Sequence, residues 1–334
     1  MPTLEAIPRL KKANELFGDV EISEKDLARY KKLVEDGKEG QAIDEFIAKY
    51  ITPYIERYQT TAQSYLQQAQ SGQFSREDQS NMERNIVLLG IALSTLLNKN
   101  FESFLTESYA PTIFENTGVT TAKLRKAILD QTLSQFDDLI RGAMSSTQAN
   151  VLNYVRTLQR EMIIQNQRII EQKLVGDLLS KSIREFRASL QQKFPDIYGA
   201  IEEGKILKSR LLANGKIINY NLANYSEMSI STTLLNVDRT ATEVIAGISG
   251  DEVLEYYLRD DRVLKTEARA ICQHILRTKT NGKSLLATNE DSASEYGIMT
   301  LSEAKGQGAM GINCRHSVRR VSKSFMKSIS EEAV

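Results

Sequence analysis

Every cysteine and histidine of this 334-residue chain falls into one of two Cys-x-His pairs. Cys272 and His274 stand in the stretch AICQHIL, and Cys314 and His316 stand in INCRHSVRRV. Thiolate and imidazole are preferred zinc ligands, and a structural zinc site takes four of them. The four residues are therefore candidate metal ligands, and a structural zinc ion is the only candidate cofactor.

Local geometry limits this metal hypothesis. Residues two apart on a strand point the same way, so Cys314 and His316 could share one ion. On a helix they point to different sides, so Cys272 would face inward and His274 outward. Three other interpretations stay open: cysteines buried for packing, a Cys272–Cys314 disulfide formed only under oxidation, and coincidence.

A cysteine beside a histidine also occurs in hydrolases. Here the residues near Cys314 are basic, and the local sequence contains neither an acid that would orient a histidine nor a glycine-rich oxyanion loop. Walker, dinucleotide-binding and HExxH motifs are absent from the sequence. We therefore expect no enzyme, with an enzymatic C-terminal effector module, toxin-like or hydrolytic, as the alternative function.

The last strand and the residues after it are rich in positive charge. Five basic side chains are candidate DNA contacts, since they could pair with phosphates: Arg315, Arg319, Arg320, Lys323 and Lys327. The alternative is a solvated strand edge followed by a frayed terminus. The whole chain carries 43 acidic and 43 basic residues, so any contact with nucleic acid or membrane must be local.

The pattern of apolar residues predicts a mainly α protein. Helices are expected over 24–70, with a kink at Pro53, and over 80–108. Two further helices are expected, the first capped by Thr121 or Thr120 and the second by Ser146. The most apolar run, residues 85–98, is too short to span a bilayer and is expected to be a buried helix. Residues 1–203 therefore form a long helical region.

The pattern changes after Gly204 and predicts a small α+β domain over 205–322, followed by a basic and then acidic tail over 323–334. Asn214-Gly215 predicts a hairpin. A helix capped at Asn224 is expected to end at Gly250, and the stretch VLEYYL, residues 253–258, is the next strand. The sequence TEARAICQHILR predicts a further helix, and MGINCRHSVRRV predicts the last strand.

Two cysteines do not make a disulfide framework, and the first residues lack the apolar stretch of a signal peptide. We therefore expect the protein to be made in a reducing cytoplasm.

Several pieces of the C-terminal domain occur in the order typical of one family. The chain resembles the phage minor capsid and head morphogenesis proteins, the Mu F-like family, over roughly residues 205–322. The positions that match its motifs are Tyr225, Met228, Thr232 and Thr233; Asp261, Arg262, Val263 and Cys272; and Asn313, Cys314, Arg315 and His316.

The chain also departs from the family pattern. Many relatives have a second cysteine shortly before the position of Cys272, and His-Pro where this chain has Gly311-Ile312. A metal site carried over from the family would lack ligands unless His274 substitutes. The resemblance and the buried faces together predict that the last strand brings Cys314 and His316 close to Cys272.

The resemblance implies a structural role in the virion, in the head interior or at the portal vertex, for a protein made in the host cytoplasm. The implied partners are the portal protein, the major capsid and scaffold proteins and, as a further expectation, phage DNA, with no membrane contact during assembly. The helical region would carry the portal or shell contacts. A protein-binding scaffold unrelated to phage is the remaining alternative.

Overall fold

In a computed structural model, helices make up nearly all of the described residues in the first half of the chain, and the described strands all follow residue 207. It describes residues 17–18, 21–71, 76–171, 185, 188–189, 191–195, 208–211, 217–220, 222–258, 270–280, 282–310, 316–321 and 325. The predicted fold class, mainly α with a small α+β part toward the C-terminus, is confirmed.

In the first half, the described helices follow one another closely. They are α1 (Glu24–Glu35), α2 (Glu39–Tyr50), α3 (Thr52–Ser71), α4 (Arg76–Ser103), a π-helical turn (Phe104–Tyr109), α5 (Ala110–Thr117) and α6 (Ala122–Glu171). The Ser23 hydroxyl caps α1 by accepting a hydrogen bond from the Asp26 N–H.

The second half mixes short strands with helices. In order these are β1 (Lys208–Leu211), β2 (Ile217–Tyr220), α7 (Leu222–Ser249), β3 (Val253–Leu258), α8 (Ala270–Arg277), β4 (Lys279–Thr280), β5 (Lys283–Ala287), α9 (Glu290–Tyr296), α10 (Leu301–Gly306) and β6 (His316–Arg320). The hairpin predicted around Asn214-Gly215 and the strand predicted over 253–258 are confirmed.

Three predicted helix boundaries are wrong. The segment 24–70 is three helices rather than one kinked helix, and Pro53 lies in the first turn of α3, where its missing N–H costs no hydrogen bond. No helix starts at Ser146, which lies inside the unbroken α6; the neighbouring Thr147 donates its hydroxyl to the Ala143 carbonyl, a bond that hydroxyl residues can make within a helix. Helix α7 begins at Leu222, so Asn224 is not its cap.

The predicted end of α7 at Gly250 is confirmed. Gly250 adopts a positive φ of 68°, and the Asp251 N–H donates to the Ala246 carbonyl at 2.9 Å. This is the hydrogen bond of a Schellman motif, which turns the chain out of the helix and into β3.

The chain divides into two compact units made of separate stretches. One comprises Met1–Glu21, Ile47–Asn100 and Asp137–Glu227, and the other comprises Ile22–Phe46, Phe101–Phe136 and Met228–Val334. The boundary predicted near Gly204 lies outside the described residues. The predicted division into 1–203, 205–322 and 323–334 therefore stays a prediction.

In the first unit, helices α3, α4 and α6 share an apolar core made of Ala62, Leu66, Met82, Ile86, Val151, Val155 and Leu158. The apolar run 85–98 lies in α4, but the expectation that it is wholly buried is only partly right. Val87, Leu88 and Ile91 each expose more than a third of their surface.

In the second unit, the π-helical turn lies just before Pro111. In a regular α-helix the Pro111 ring would clash with the carbonyl four residues earlier, and the wider turn relieves that clash. The turn buries Phe104, whose ring stacks on Phe46 with centroids 4.2 Å apart. The buried Ser108 hydroxyl donates to the Leu27 carbonyl at 2.8 Å and so ties the turn to α1.

The second unit also contains an antiparallel sheet with the strand order β4-β5-β3-β6. Its inner face carries Leu254, Tyr256, Leu286 and Val318 and packs on the apolar sides of α7, α8 and α10. Its outer face carries Val253, Glu255, Leu285 and Arg319, because side chains alternate along each strand. We call the described residues from Met228 to Arg320 the C-terminal module.

Helices α4 and α6 approach closely at Gly90, and this contact is testable. A β-carbon at Gly90 would lie 1.8 Å from Gln148 Nε2, which donates to the Val87 carbonyl. We expect Gly90→Ala to stabilise the protein by roughly 0.5–1 kcal/mol only in a Gln148→Ala background, where the greater helix propensity of alanine is no longer offset by the clash. Urea unfolding of the four proteins in this double-mutant cycle measures the coupling, and equal effects in both backgrounds would contradict it.

Candidate functional site

The first predicted pair, Cys272 and His274, lies on α8 with its members on different sides. Cys272 is 1% exposed and belongs to the core beneath the inner face of the sheet, whereas His274 is exposed. This is the arrangement expected of a regular helix. The structure therefore does not bring these two side chains into one coordination sphere.

In the second pair, His316 is described and Cys314 is not. His316 opens β6, is 3% exposed, and stacks its imidazole on the Tyr256 ring with centroids 5.0 Å apart and the rings 9° from parallel. Tyr256 also belongs to the core cluster that contains Cys272. The last strand thus carries His316 into the same side of the sheet as Cys272.

The described residues do not test the four-ligand metal site. Within the described part of the chain, no three His, Cys, Asp or Glu side chains are grouped as a metal ion would need. Cys314, and with it the predicted approach to Cys272, lies outside the described residues. The four-ligand set stays a prediction, and its weak point is the outward direction of His274.

One polar group of the module with several hydrogen bonds was not predicted from the sequence. Arg239, in the middle of α7, is 2% exposed. Its Nε donates to the His316 carbonyl at 3.0 Å, and its Nη2 reaches the same oxygen. Its Nη1 donates to the Met310 carbonyl at 2.9 Å and to Asn236 Oδ1 at 2.7 Å.

These bonds make Arg239 a clamp on the last strand. Met310 and His316 stand on either side of residues 311–315, so one guanidinium holds the chain before and after the Asn-Cys-Arg stretch. A guanidinium suits this position because its five N–H donors are fixed in a planar fork. Met310 itself has a positive φ of 55°, which is uncommon for a residue with a side chain and needs such support.

The neighbouring residue strengthens the same attachment. Asp238 is largely buried and accepts a hydrogen bond from the buried Ser317 hydroxyl at 2.8 Å. Asp238 and Arg239 together fasten β6 to α7.

On the outer face of the sheet, Glu255 joins three strands. Its carboxylate accepts two hydrogen bonds from Arg319 on β6, at 2.9 and 3.0 Å, and one from Lys283 on β5, at 2.7 Å. Burial raises the pKa of the Glu255 carboxyl, but the hydrogen bonds from Arg319 and Lys283 outweigh burial and hold the pKa below its usual value. Arg319 also lies over the Tyr257 ring, 4.8 Å from its centroid.

The predicted DNA contacts divide into described and undescribed residues. Arg319 is paired with Glu255, and Arg320 is paired with Asp251 through both Nε and Nη2. Arg315, Lys323 and Lys327 lie outside the described residues. Both described arginines are thus held by carboxylates within the protein, and the DNA contacts stay a prediction.

Two features could have been found from the sequence. The dipeptide Asn281-Gly282 is the same hairpin signal as Asn214-Gly215, and Gly282 has the positive φ of 78° that such a turn uses, yet the β4–β5 hairpin was not predicted. The adjacent charges Asp238 and Arg239 stand in a predicted helix among apolar neighbours. A charged pair at such a position indicates an internal polar network.

Comparisons with protein-family models, with curated proteins and with solved structures found no match. Over the residues that the structure describes, no helix is both long enough and apolar enough to cross a membrane.

The clamp predicts a large cost for replacing Arg239. Arg239→Met leaves the His316 and Met310 carbonyls without their buried donor and should lower the free energy of unfolding by about 2–5 kcal/mol. Arg239→Lys should recover part of this loss, because one ammonium cannot span both carbonyls. Urea unfolding measures the loss, with the exposed Arg277→Lys as the matched control expected to change stability by less than about 0.5 kcal/mol. A loss for Arg239→Met no larger than the control's would contradict the clamp.

The lowered pKa of Glu255 predicts a pH dependence. A carboxyl whose pKa is lower in the folded state stabilises the fold fully above its unfolded pKa, and this contribution is lost as pH falls through the folded pKa. Glu255→Gln should therefore cost about 1 kcal/mol at neutral pH, since the pairs are partly solvated, and progressively less below about pH 4.5. Urea unfolding across this pH range checks it, with the exposed Glu295→Gln as control; a cost that does not shrink in acid would refute the assignment.

Proposed function

We propose that this protein is a phage minor head protein that binds the portal vertex and takes part in head assembly. It would be made in the host cytoplasm and incorporated into the virion, in the head interior or at the portal. The proposal takes up the resemblance of residues 205–322 to minor capsid proteins. Its support from the fold is the order of long helices first and a small sheet module afterwards.

The observation that carries the proposal is a direct hydrogen bond between α7 and β6, two elements that each contain motif positions. Within the C-terminal module, helix α7 contains the positions Met228, Thr232 and Thr233, and strand β6 begins at His316, the last position of the Asn-Cys-Arg-His motif. Arg239 of α7 binds the His316 carbonyl directly. Two stretches that the resemblance pairs by sequence order are thus parts of one packed module.

In this proposal the helical region carries the protein contacts, with the portal protein first and the major capsid and scaffold proteins second. Clustered exposed apolar side chains are typical of protein-contact surfaces. On α4, Val87, Leu88 and Ile91 are such a cluster within the first unit. Contact with phage DNA would be local, since Arg319 and Arg320 already pair with carboxylates.

The test is co-expression with the portal protein of the genome that encodes this chain. We expect a complex that survives affinity capture and size-exclusion chromatography. The paired change Leu88→Gln and Ile91→Gln should weaken capture about tenfold or more, because it removes two exposed apolar contacts without altering the core. Glu56→Gln with Thr60→Gln, likewise about one helical turn apart on the exposed side of α3, is the control and should bind normally.

The outcomes separate the proposal from its competitors. Failure of the unmodified chain to bind any portal assembly, together with the absence of a portal or terminase gene beside its own, would overturn the proposal. Equal capture of both paired variants would keep the portal interaction but remove α4 from it.

A further inference from the structure

Helices α4 and α6 expose neighbouring side chains on the side away from their common core. The Glu83–Arg156 ion pair and the Asn98–Asp137 hydrogen bond rise along α4 as they fall along α6, so the two helices run antiparallel. The side chain of Gln148 reaches the Val87 carbonyl, which places residues 145–149 of α6 beside residues 87–91 of α4.

The middle of this surface is apolar and shallow. Val87, Leu88 and Ile91 of α4 each expose more than a third of their surface. Beside them α6 exposes small residues that recur with helical spacing, namely Gly142, Ser145 and Ala149. A β-carbon at Gly142 would meet no atom within 4 Å. Large apolar side chains next to a row of small ones allow another helix to pack closely against the pair.

The two ends of the surface carry opposite charges. Arg84 lies one turn before the apolar stretch of α4, and Asp138 lies two turns before Ser145 on α6; both are exposed. Among the described residues neither has an ion-pair or hydrogen-bond partner, unlike Arg156 and Asp137 nearby. Because the helices are antiparallel, Arg84 and Asp138 stand at opposite ends, each about 10 Å from the middle at the axial rise of an α-helix.

We propose that this surface is a homodimer interface, whose occupant is a second copy of the same chain. We call it the α4–α6 face, and it consists of Arg84, Val87, Leu88, Ile91, Asp138, Gly142, Ser145 and Ala149. A two-fold axis through its middle turns each end onto the opposite end of the other copy. Arg84 of each copy then pairs with Asp138 of the other, while Ile91 packs on the small residues of α6 across the axis.

The charges favour a second copy over other occupants. A parallel arrangement of two copies would oppose like charges, so the charges select the two-fold arrangement. A nucleic acid is uniformly negative, so Arg84 would attract it and Asp138 would repel it. The apolar middle is small beside the roughly 800 Å² that each partner buries in a standard interface, so the dimer should be weak and reversible.

This inference goes beyond the proposed portal contact. Both use Leu88 and Ile91, so the portal and a second copy exclude each other from this face. The dimer is measured on the chain alone, so a failure to dimerise leaves portal capture unaffected, and a failure of portal capture leaves the dimer unaffected.

The experiment is sedimentation velocity of the full chain at concentrations that span the micromolar range. The unmodified chain should show a concentration-dependent dimer. Arg84→Asp and Asp138→Arg each put like charges at both ends of the interface, so each should weaken dimerisation about tenfold or more. Glu56→Arg, the same reversal as Asp138→Arg at an exposed position of α3, is the matched control and should dimerise like the unmodified chain.

Mixing the two reversed variants gives the sharpest test. In a dimer with one copy of Arg84→Asp and one of Asp138→Arg, both contacts again join opposite charges. An equimolar mixture should therefore dimerise nearly as well as the unmodified chain, although each variant alone does not. Mixing cannot rescue variants that have merely lost their fold, and circular dichroism checks that each is folded.

Four results would overturn the proposal. They are an unmodified chain that stays monomeric at the highest concentration, folded single variants that dimerise normally, a control that is weakened as much as they are, and a mixture that stays monomeric. The salt dependence of the unmodified dimer gives an independent reading should a reversed variant fail to fold. Its affinity should fall severalfold from low to high salt, and an affinity that does not change would count against the two ion pairs.

Discussion

The C-terminal module depends on a guanidinium buried in the middle of a helix. A buried positive charge is costly unless its donors are satisfied, and Arg239 meets this requirement with the carbonyls of Met310 and His316 and the amide oxygen of Asn236. The two carbonyls lie at the end of the last helical turn and at the start of β6, whereas Asn236 lies on α7 itself. The position of β6 is therefore set by α7 as well as by the neighbouring strand.

Strand β6 is consequently held on three sides. Its backbone pairs with β3, its His316 carbonyl accepts from Arg239, and its outer-face side chain Arg319 binds Glu255. Each attachment uses a different chemistry: ladder hydrogen bonds, a buried cation and an ion pair.

The sequence predicted more of the secondary structure than of the contacts that form the candidate site. Alternating or helical patterns correctly indicated the strand over 253–258 and the end of α7 at Gly250, because both depend on local rules. The helix start predicted at Ser146 is wrong. Hydroxyl residues favour helix starts but can also bond to a carbonyl within a helix, as Thr147 does. The Arg239 clamp depends on contacts between residues more than seventy positions apart, which no local pattern specifies.

Ion pairs within the module determine whether the arginines of β6 are available to bind phosphate. Glu255 accepts from both Arg319 and Lys283, Asp251 holds Arg320, and Glu243 holds Lys305. To bind a phosphate, Arg319 or Arg320 would have to exchange a carboxylate for it, and the carboxylate left behind would lose its partner. That exchange weakens any affinity for DNA and makes it sensitive to salt. The same ion pairs fix side chains on the outer face, and Glu255 holds Lys283, whose ammonium faces the Phe325 ring. The described basic residues of this region therefore have a structural role within the module.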